Sequence, residues 1–175
     1  MAAVKRNRDG LKIRISQLSS GIHEYHFSSE PPEIGLESNF RNPVEVDAVV
    51  DKTPRQLFLR VKVQTSACFA CDRCTEEFER PISIGYNMFY VYSDQETGKY
   101  PPDEVQVIGI DTVYIDLTED VRQMVLVSIP LKLLCKEDCQ GLCRHCGMNL
   151  NDQRCSCRDE TLDPRWESLN QLLKN

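Results

Sequence analysis

Leu57-Phe58-Leu59-Arg60-Val61-Lys62-Val63, followed eight residues on by Cys71-Asp72-Arg73-Cys74, decides how this chain is read. Every second residue from Leu57 to Val63 is aliphatic, with Phe58, Arg60 and Lys62 between. Alternation of that kind puts the aliphatic set on one face of a half-buried strand. The pattern recurs upstream. Ile13 and Ile15 alternate with Lys12 and Arg14, and Val44, Val46, Ala48 and Val50 alternate with Glu45, Asp47 and Val49. Downstream, Ile82 to Tyr92 is rich in β-branched and aromatic residues, which suits another strand. Cys71–Cys74 therefore falls at the bend between two strands. The expected fold is α+β, mainly antiparallel sheet with a few helices and a small C-terminal Cys-rich zinc-knuckle segment.

The character changes near Asp116. Asp116 or Thr118 can cap a helix with Val121, Met124, Val125 and Ser128 on one side, ending before Pro130. Before it, Pro101-Pro102 and nearby acids mark a surface loop. Residues 135–158 are Cys-rich and lack periodicity. Asp163-Pro164 then offers an N-cap and N1 proline, and Trp166, Leu169, Leu172 and Leu173 form one helical stripe. The expected organisation is a body at 1–134, a metal-binding segment at 135–160, and a C-terminal helix at 161–175 packing on the body.

A length of 175 residues suits one domain with a small appendage, and permits a core that needs no metal to form. The formal charge of −6 argues against coating nucleic acid by bulk attraction. Charge is nonetheless blocked. Lys5, Arg6, Arg8, Lys12 and Arg14 face only Asp9 in the first 15 residues, whereas residues 94–120 hold eight acids and Lys99. Lys52, Arg55, Arg60 and Lys62 form a basic run without acids. The longest apolar run, Met88 to Tyr92, is far too short to span a bilayer. The basic N-terminus lacks the apolar stretch of a secretory signal. A cytoplasmic protein is expected.

Nine Cys is the anomaly. An odd count without an export signal suits a reducing compartment, where grouped thiols more often hold metal than form disulfides. Cys68, Cys71 and Cys74 form one group; Cys135, Cys139, Cys143, Cys146, Cys155 and Cys157 form the other. In Cys143-x2-Cys146-Gly147 a tight turn can aim two sulfurs at one ion, and the glycine admits the positive φ that closes it. Cys155-x-Cys157 can add two more thiolates from one side of an extended segment. The expectation is one zinc ion held by Cys143, Cys146, Cys155 and Cys157, with Cys135 and Cys139 as alternates. Cys71 and Cys74 are weaker candidates, as a second knuckle, partners of the same zinc, or reduced thiols.

Other chemistry fits poorly. Cys139-x3-Cys143-x2-Cys146 has the spacing of a radical-SAM cluster, but no alternating strand–helix barrel accompanies it. Cys68-x2-Cys71-x2-Cys74 lacks the Cys-Pro that completes a ferredoxin run. His23, His26 and His145 make no triad with a nucleophile, and phosphate-cradling glycine motifs are absent. No enzyme and no small-molecule substrate are expected.

Three elements recur together: Cys71-Asp72-Arg73-Cys74-Thr75-Glu76 after a strand, Ile115-Asp116-Leu117 opening a helix that ends at Ile129-Pro130-Leu131, and Gly141-Leu142-Cys143-x2-Cys146-Gly147-x-Asn149-Leu150-Asn151 before Cys155-x-Cys157. With Asp163-Pro164-Arg165 they resemble the YceD family, large ribosomal RNA subunit accumulation proteins, from about residue 11 to the end. The resemblance implies a non-enzymatic factor for synthesis, processing or stability of large-subunit ribosomal RNA. Its implied partners are that RNA or its precursor, or ribosomal proteins, with no membrane. Candidate contacts are Arg55, Arg60, Lys62 and Arg73, with Arg144, Arg154 and Arg158 around the knuckle. The alternatives are an adaptor whose acidic faces recognise basic ribosomal proteins, and a zinc-based redox switch.

Overall fold

A computed structural model describes residues 5–6 and 10–157. Nine-residue strands β3 (Gly21–Ser29) and β4 (Val44–Lys52) and 15-residue strands β5 (Gln56–Ala70) and β6 (Glu77–Val91) run as an antiparallel meander. Two short strands flank it in parallel, β1 (Lys5–Arg6) beside β3 and β7 (Val105–Val107) beside β6. A separate ribbon pairs β2 (Lys12–Arg14) with β8 (Tyr114–Asp116). One α-helix is present among the described residues, α1 (Thr118–Val127). The fold is α+β and mainly antiparallel sheet.

The alternation in β5 does what its chemistry requires. Leu57, Leu59, Val61 and Val63 are fully buried, and so are Val44, Val46, Ala48 and Val50 across the ladder. The ribbon and helix cover this inner face. Ile13, Ile115, Leu117, Val121 and Val125 join the same core. Each aliphatic side chain so buried contributes about 1.5–3 kcal/mol. The opposite face carries Arg60, Lys62, Glu45, Asp47, Asp51 and Glu24 and stays in contact with water.

Helix α1 starts where the Asp116 side chain accepts a hydrogen bond from the Thr118 amide at 3.0 Å, and it ends three residues before Pro130. β5 and β6 are longer than the alternating sequence indicates. Beyond Ala67 and Ile82, their outermost core residues, the strands run on and carry the Cys71–Cys74 bend as the tip of the hairpin. The expected C-terminal helix with Trp166, Leu169, Leu172 and Leu173 lies outside the described residues, as does Arg158.

Candidate metal centres

The hairpin tip is a turn built on two backbone hydrogen bonds, Cys71 N to the Glu76 carbonyl and Thr75 N to the Cys71 carbonyl, both at 2.9 Å. Thr75 takes φ of 62°, a left-handed conformation that β-branched residues disfavour. The second Cys-x2-Cys turn repeats this geometry with glycine. Gly147 has φ of 73°, and its amide donates to the Cys143 carbonyl at 2.9 Å.

Main-chain contacts then bring the C-terminal segment back to the tip. Asp72 N donates to the Leu133 carbonyl at 2.8 Å, and Leu133 N donates to the Asp72 carboxylate at 2.6 Å. The Arg73 guanidinium donates to the Cys139 carbonyl at 2.7 Å, so this exposed residue spends its charge tying two chain segments together. Leu142 N donates to the Arg73 carbonyl.

The result is two groups of four cysteines. Within each, the sulfurs all lie within 4.8 Å of one another. The inner group is Cys71, Cys74, Cys135 and Cys139, with Cys71, Cys74 and Cys139 each about 2% exposed. The outer group is Cys143, Cys146, Cys155 and Cys157, with Cys146 and Cys157 exposed. The four thiols read as one zinc site are thus together. The two alternates and the two weaker candidates form a second cluster that the expectation of one ion did not include.

The donor set fits a soft dication. A tetrahedron with Zn–S bonds of ~2.3 Å has edges of ~3.8 Å. Cys71–Cys139 and Cys74–Cys135 sulfurs are 3.7 Å apart, and Cys155 lies 3.4 Å from both Cys143 and Cys146. Such distances are close to a tetrahedral edge and far beyond a disulfide bond. Backbone and side-chain N–H groups point at the sulfurs: His145 N at Cys143 and Asn151 Nδ2 at Cys139, both at 3.4 Å, and Cys157 N at Cys155 at 3.3 Å. These donors stabilise thiolates and orient them.

The electrostatics agree. Burial works to raise the Cys71 thiol, but backbone donors from Cys135, Arg73 and Cys74 outweigh it and bring it down to about 6. Backbone donors from Cys146 and His145, with the Cys155 side chain, likewise lower Cys143 to about 6. Cys135 is pushed up to about 12, by burial first and then by neighbouring thiols. Cys155 is also pushed up to about 12, its Cys157 backbone donor outweighed by the thiols of Cys143, Cys157 and Cys146. Each cluster readily ionises part of its thiols and resists ionising the rest. A bound dication supplies the charge that lets all four deprotonate.

The other predicted residues are spread out. Cys68 is outside both clusters, its thiol 3.7 Å from the Glu77 carboxylate. His145 is exposed, and its ring is not a member of either cluster. His26 lies between Asp47 at 2.7 Å and Glu45 at 3.1 Å, a placement its sequence neighbours do not reveal. Arg60 and Lys62 share the open sheet face with acids: Lys62 stands opposite Asp47 in the β4–β5 register, and Arg60 lies over the Phe58 ring. Arg55 and Arg73 flank opposite ends of β5, on the order of 45 Å apart for a strand of that length. Arg144 and Arg154 are exposed beside the outer cluster. The basic candidates therefore do not form one surface.

The family described as large ribosomal RNA subunit accumulation protein YceD matches residues 59–173, from near the start of β5 through both Cys clusters. Pairwise similarity reaches further toward the N-terminus. The uncharacterized protein Rv2926c of Mycobacterium tuberculosis is 26% identical over 165 residues, covering 91% of this chain and 78% of its own. The large ribosomal RNA subunit accumulation protein YCED homolog 1, chloroplastic, of Arabidopsis thaliana is 25% identical over 163 residues, covering 74% of this chain and 48% of its own. The uncharacterized protein YlbN of Bacillus subtilis is 25% identical over 142 residues, covering 79% and 80%. No solved structure matches the chain. The hairpin turn, the returning Cys segment and the second knuckle all fall inside the family match, and the chain belongs to the YceD family, large ribosomal RNA subunit accumulation proteins.

Proposed function

We propose that the protein supports the accumulation of large-subunit ribosomal RNA without catalysing a reaction, by contacting that RNA or its precursor through its Cys-rich end. The observation that carries this reading is the placement of Arg144 and Arg154, both exposed, on the short segment that folds around the outer cluster. Zinc at Cys143, Cys146, Cys155 and Cys157 would hold this otherwise almost coreless segment in one shape, with Arg side chains on its rim to meet phosphates. The sheet face is the weaker contact surface, because Arg60 and Lys62 lie among Glu24, Glu45, Asp47 and Asp51. With a net charge of −6 the RNA affinity is modest and falls steeply with salt. Among the described residues no helix is long and apolar enough to cross a membrane, and action in the cytoplasm is part of the proposal.

A second reading has its own support. A cavity of about 450 Å³ beside α1 is lined by Asp103, Glu104 and Asp120 with Tyr86 and Met88. Such a cleft suits Lys or Arg side chains of a basic ribosomal protein. Crosslinking in cells separates the two: label on RNA supports direct contact, and label on protein alone supports the adaptor. Depletion of the protein followed by ribosomal RNA profiling tests both. Reduced large-subunit RNA, restored by the wild-type chain and not by Arg144→Glu/Arg154→Glu, is the expected result. Unchanged large-subunit RNA would overturn the reading.

A further inference from the structure

We propose that the inner cluster is a second metal centre and that it loads before the outer one, so that each chain carries two ions in a fixed hierarchy. The two clusters are not equivalent. The inner site takes Cys71 and Cys74 from a turn at the end of two paired 15-residue strands, which holds half the ligands in place with or without an ion. The other half arrives on a segment already docked by the Asp72–Leu133 pair and by the Arg73–Cys139 hydrogen bond. Three of its thiols are shielded from water. A site with this much prior order binds its ion with little further ordering cost.

The outer site has no such support of its own. Its ligands come from one short segment, residues 143–157, in which Met148 is exposed, as is Leu142 just before it, rather than buried as a core. That segment's ties to the rest of the chain converge on the inner site. Asn151 is the hinge: its Nδ2 donates to the Cys139 sulfur at 3.4 Å and its Oδ1 accepts from Gln140 N at 2.9 Å. Leu150 N donates to the Gly141 carbonyl at 2.9 Å, and Leu142 N to the Arg73 carbonyl at 3.1 Å. Cys139 is therefore both a ligand of the inner cluster and an anchor of the outer segment. An empty inner site leaves residues 135–142 held by hydrogen bonds alone and loosens the platform on which the outer knuckle closes, whereas an empty outer site leaves every inner ligand in place. The coupling is a difference in organisation between the two states of the inner segment.

Elemental analysis of protein purified under reducing conditions with zinc gives the test. The wild-type chain should hold two ions, Cys155→Ser/Cys157→Ser one, and Cys71→Ser/Cys74→Ser none. Because the last variant could lose its ions by misfolding, Asn151→Ala, which keeps all eight thiols, provides an independent check. It should bind two Co²⁺ ions with tetrahedral thiolate spectra, and because Asn151 serves both the Cys139 thiolate and the outer segment, both affinities should fall, by about 10–100-fold; a loss confined to one ion overturns the hierarchy. A wild-type stoichiometry of one overturns the second centre. An ion retained by Cys71→Ser/Cys74→Ser, or unchanged affinities in Asn151→Ala, overturns the hierarchy. A wild-type chain holding one ion that Cys155→Ser/Cys157→Ser loses overturns the second centre and leaves the zinc at the outer knuckle, on which the ribosomal RNA reading rests, standing.

Discussion

Gly141 packs against the main chain of Arg73, so closely that a Cβ at Gly141 would stand 3.0 Å from the Arg73 carbonyl oxygen. The same oxygen accepts the Leu142 amide, and Gly141 has φ of +75°. Backbone meets backbone here, so neither side can yield by rotating a side chain. Gly141→Ala therefore strains the turn and pushes the outer segment off the hairpin tip. The expected cost is about 1–3 kcal/mol, read as a lower denaturation midpoint in a urea titration of the zinc-loaded protein. An unchanged midpoint would mean that this contact does not hold the two segments together.

Thr75 offers the opposite experiment. It occupies the position that Gly147 holds in the other knuckle, with φ of 62° and its hydroxyl donating to the Cys74 carbonyl at 2.7 Å. A β-branched residue in the left-handed region costs about 1–2 kcal/mol, partly offset here because glycine loses more chain entropy on folding. Thr75→Gly is expected to stabilise the protein by about 0.5–1 kcal/mol, and Gly147→Thr to destabilise it. Differential scanning calorimetry of the two variants should give midpoints on opposite sides of the wild type.

Thr75 also explains why part of the site escaped the sequence. A glycine after the second cysteine marks Cys143–Cys146 as a knuckle, while Thr75 masks the equivalent turn at Cys71–Cys74. The partners Cys135 and Cys139 lie some sixty residues downstream, a distance over which spacing carries no information and only the folded hairpin brings them near. Thiol arithmetic held the missing signal: two spare cysteines at 135 and 139 complete a second set of four with 71 and 74. The fold was legible where alternation is strong, in β4 and the first half of β5. It was hidden in β3, where only Tyr25, Phe27 and the hydrogen-bonded Ser29 are well buried among polar neighbours. It was hidden again in the outer halves of β5 and β6, where Ala67 and Ile82 are the buried core positions and Gln64-Thr65-Ser66 breaks the apolar stripe.

Leu59 is fully buried between Val50 and Met88 on neighbouring strands, and Lys62 is exposed on the reverse face. Leu59→Ala should cost about 2–5 kcal/mol, the cavity included. Lys62→Ala should stay within about 0.5 kcal/mol. Chemical denaturation monitored by far-UV circular dichroism compares them directly. Comparable losses from the two would contradict the assignment of inner and outer faces.

Asp120 on α1 gives a pH signature. Burial raises its pKa, and the nearby carboxylates of Glu119 and Asp116 raise it further. It lies in the acidic cleft with Tyr86, whose buried hydroxyl has no hydrogen-bond partner among the described residues and is itself pushed up by burial and then by Asp120. A carboxyl group with a raised native pKa binds more protons folded than unfolded between its unfolded value, about 3.9, and its native value. Stability therefore falls as pH rises through that window, and the penalty persists unchanged above it. Asp120→Asn removes the charge and should be more stable than wild type at pH 7, with the advantage shrinking as pH falls through that window and no further change below about 3.9. Urea unfolding at a series of pH values should show the two stability curves converging at low pH. Curves that stay parallel would mean that folding leaves the Asp120 carboxyl unshifted, and an asparagine variant less stable at neutral pH that the carboxylate is paired in the folded protein; either result contradicts a buried cost.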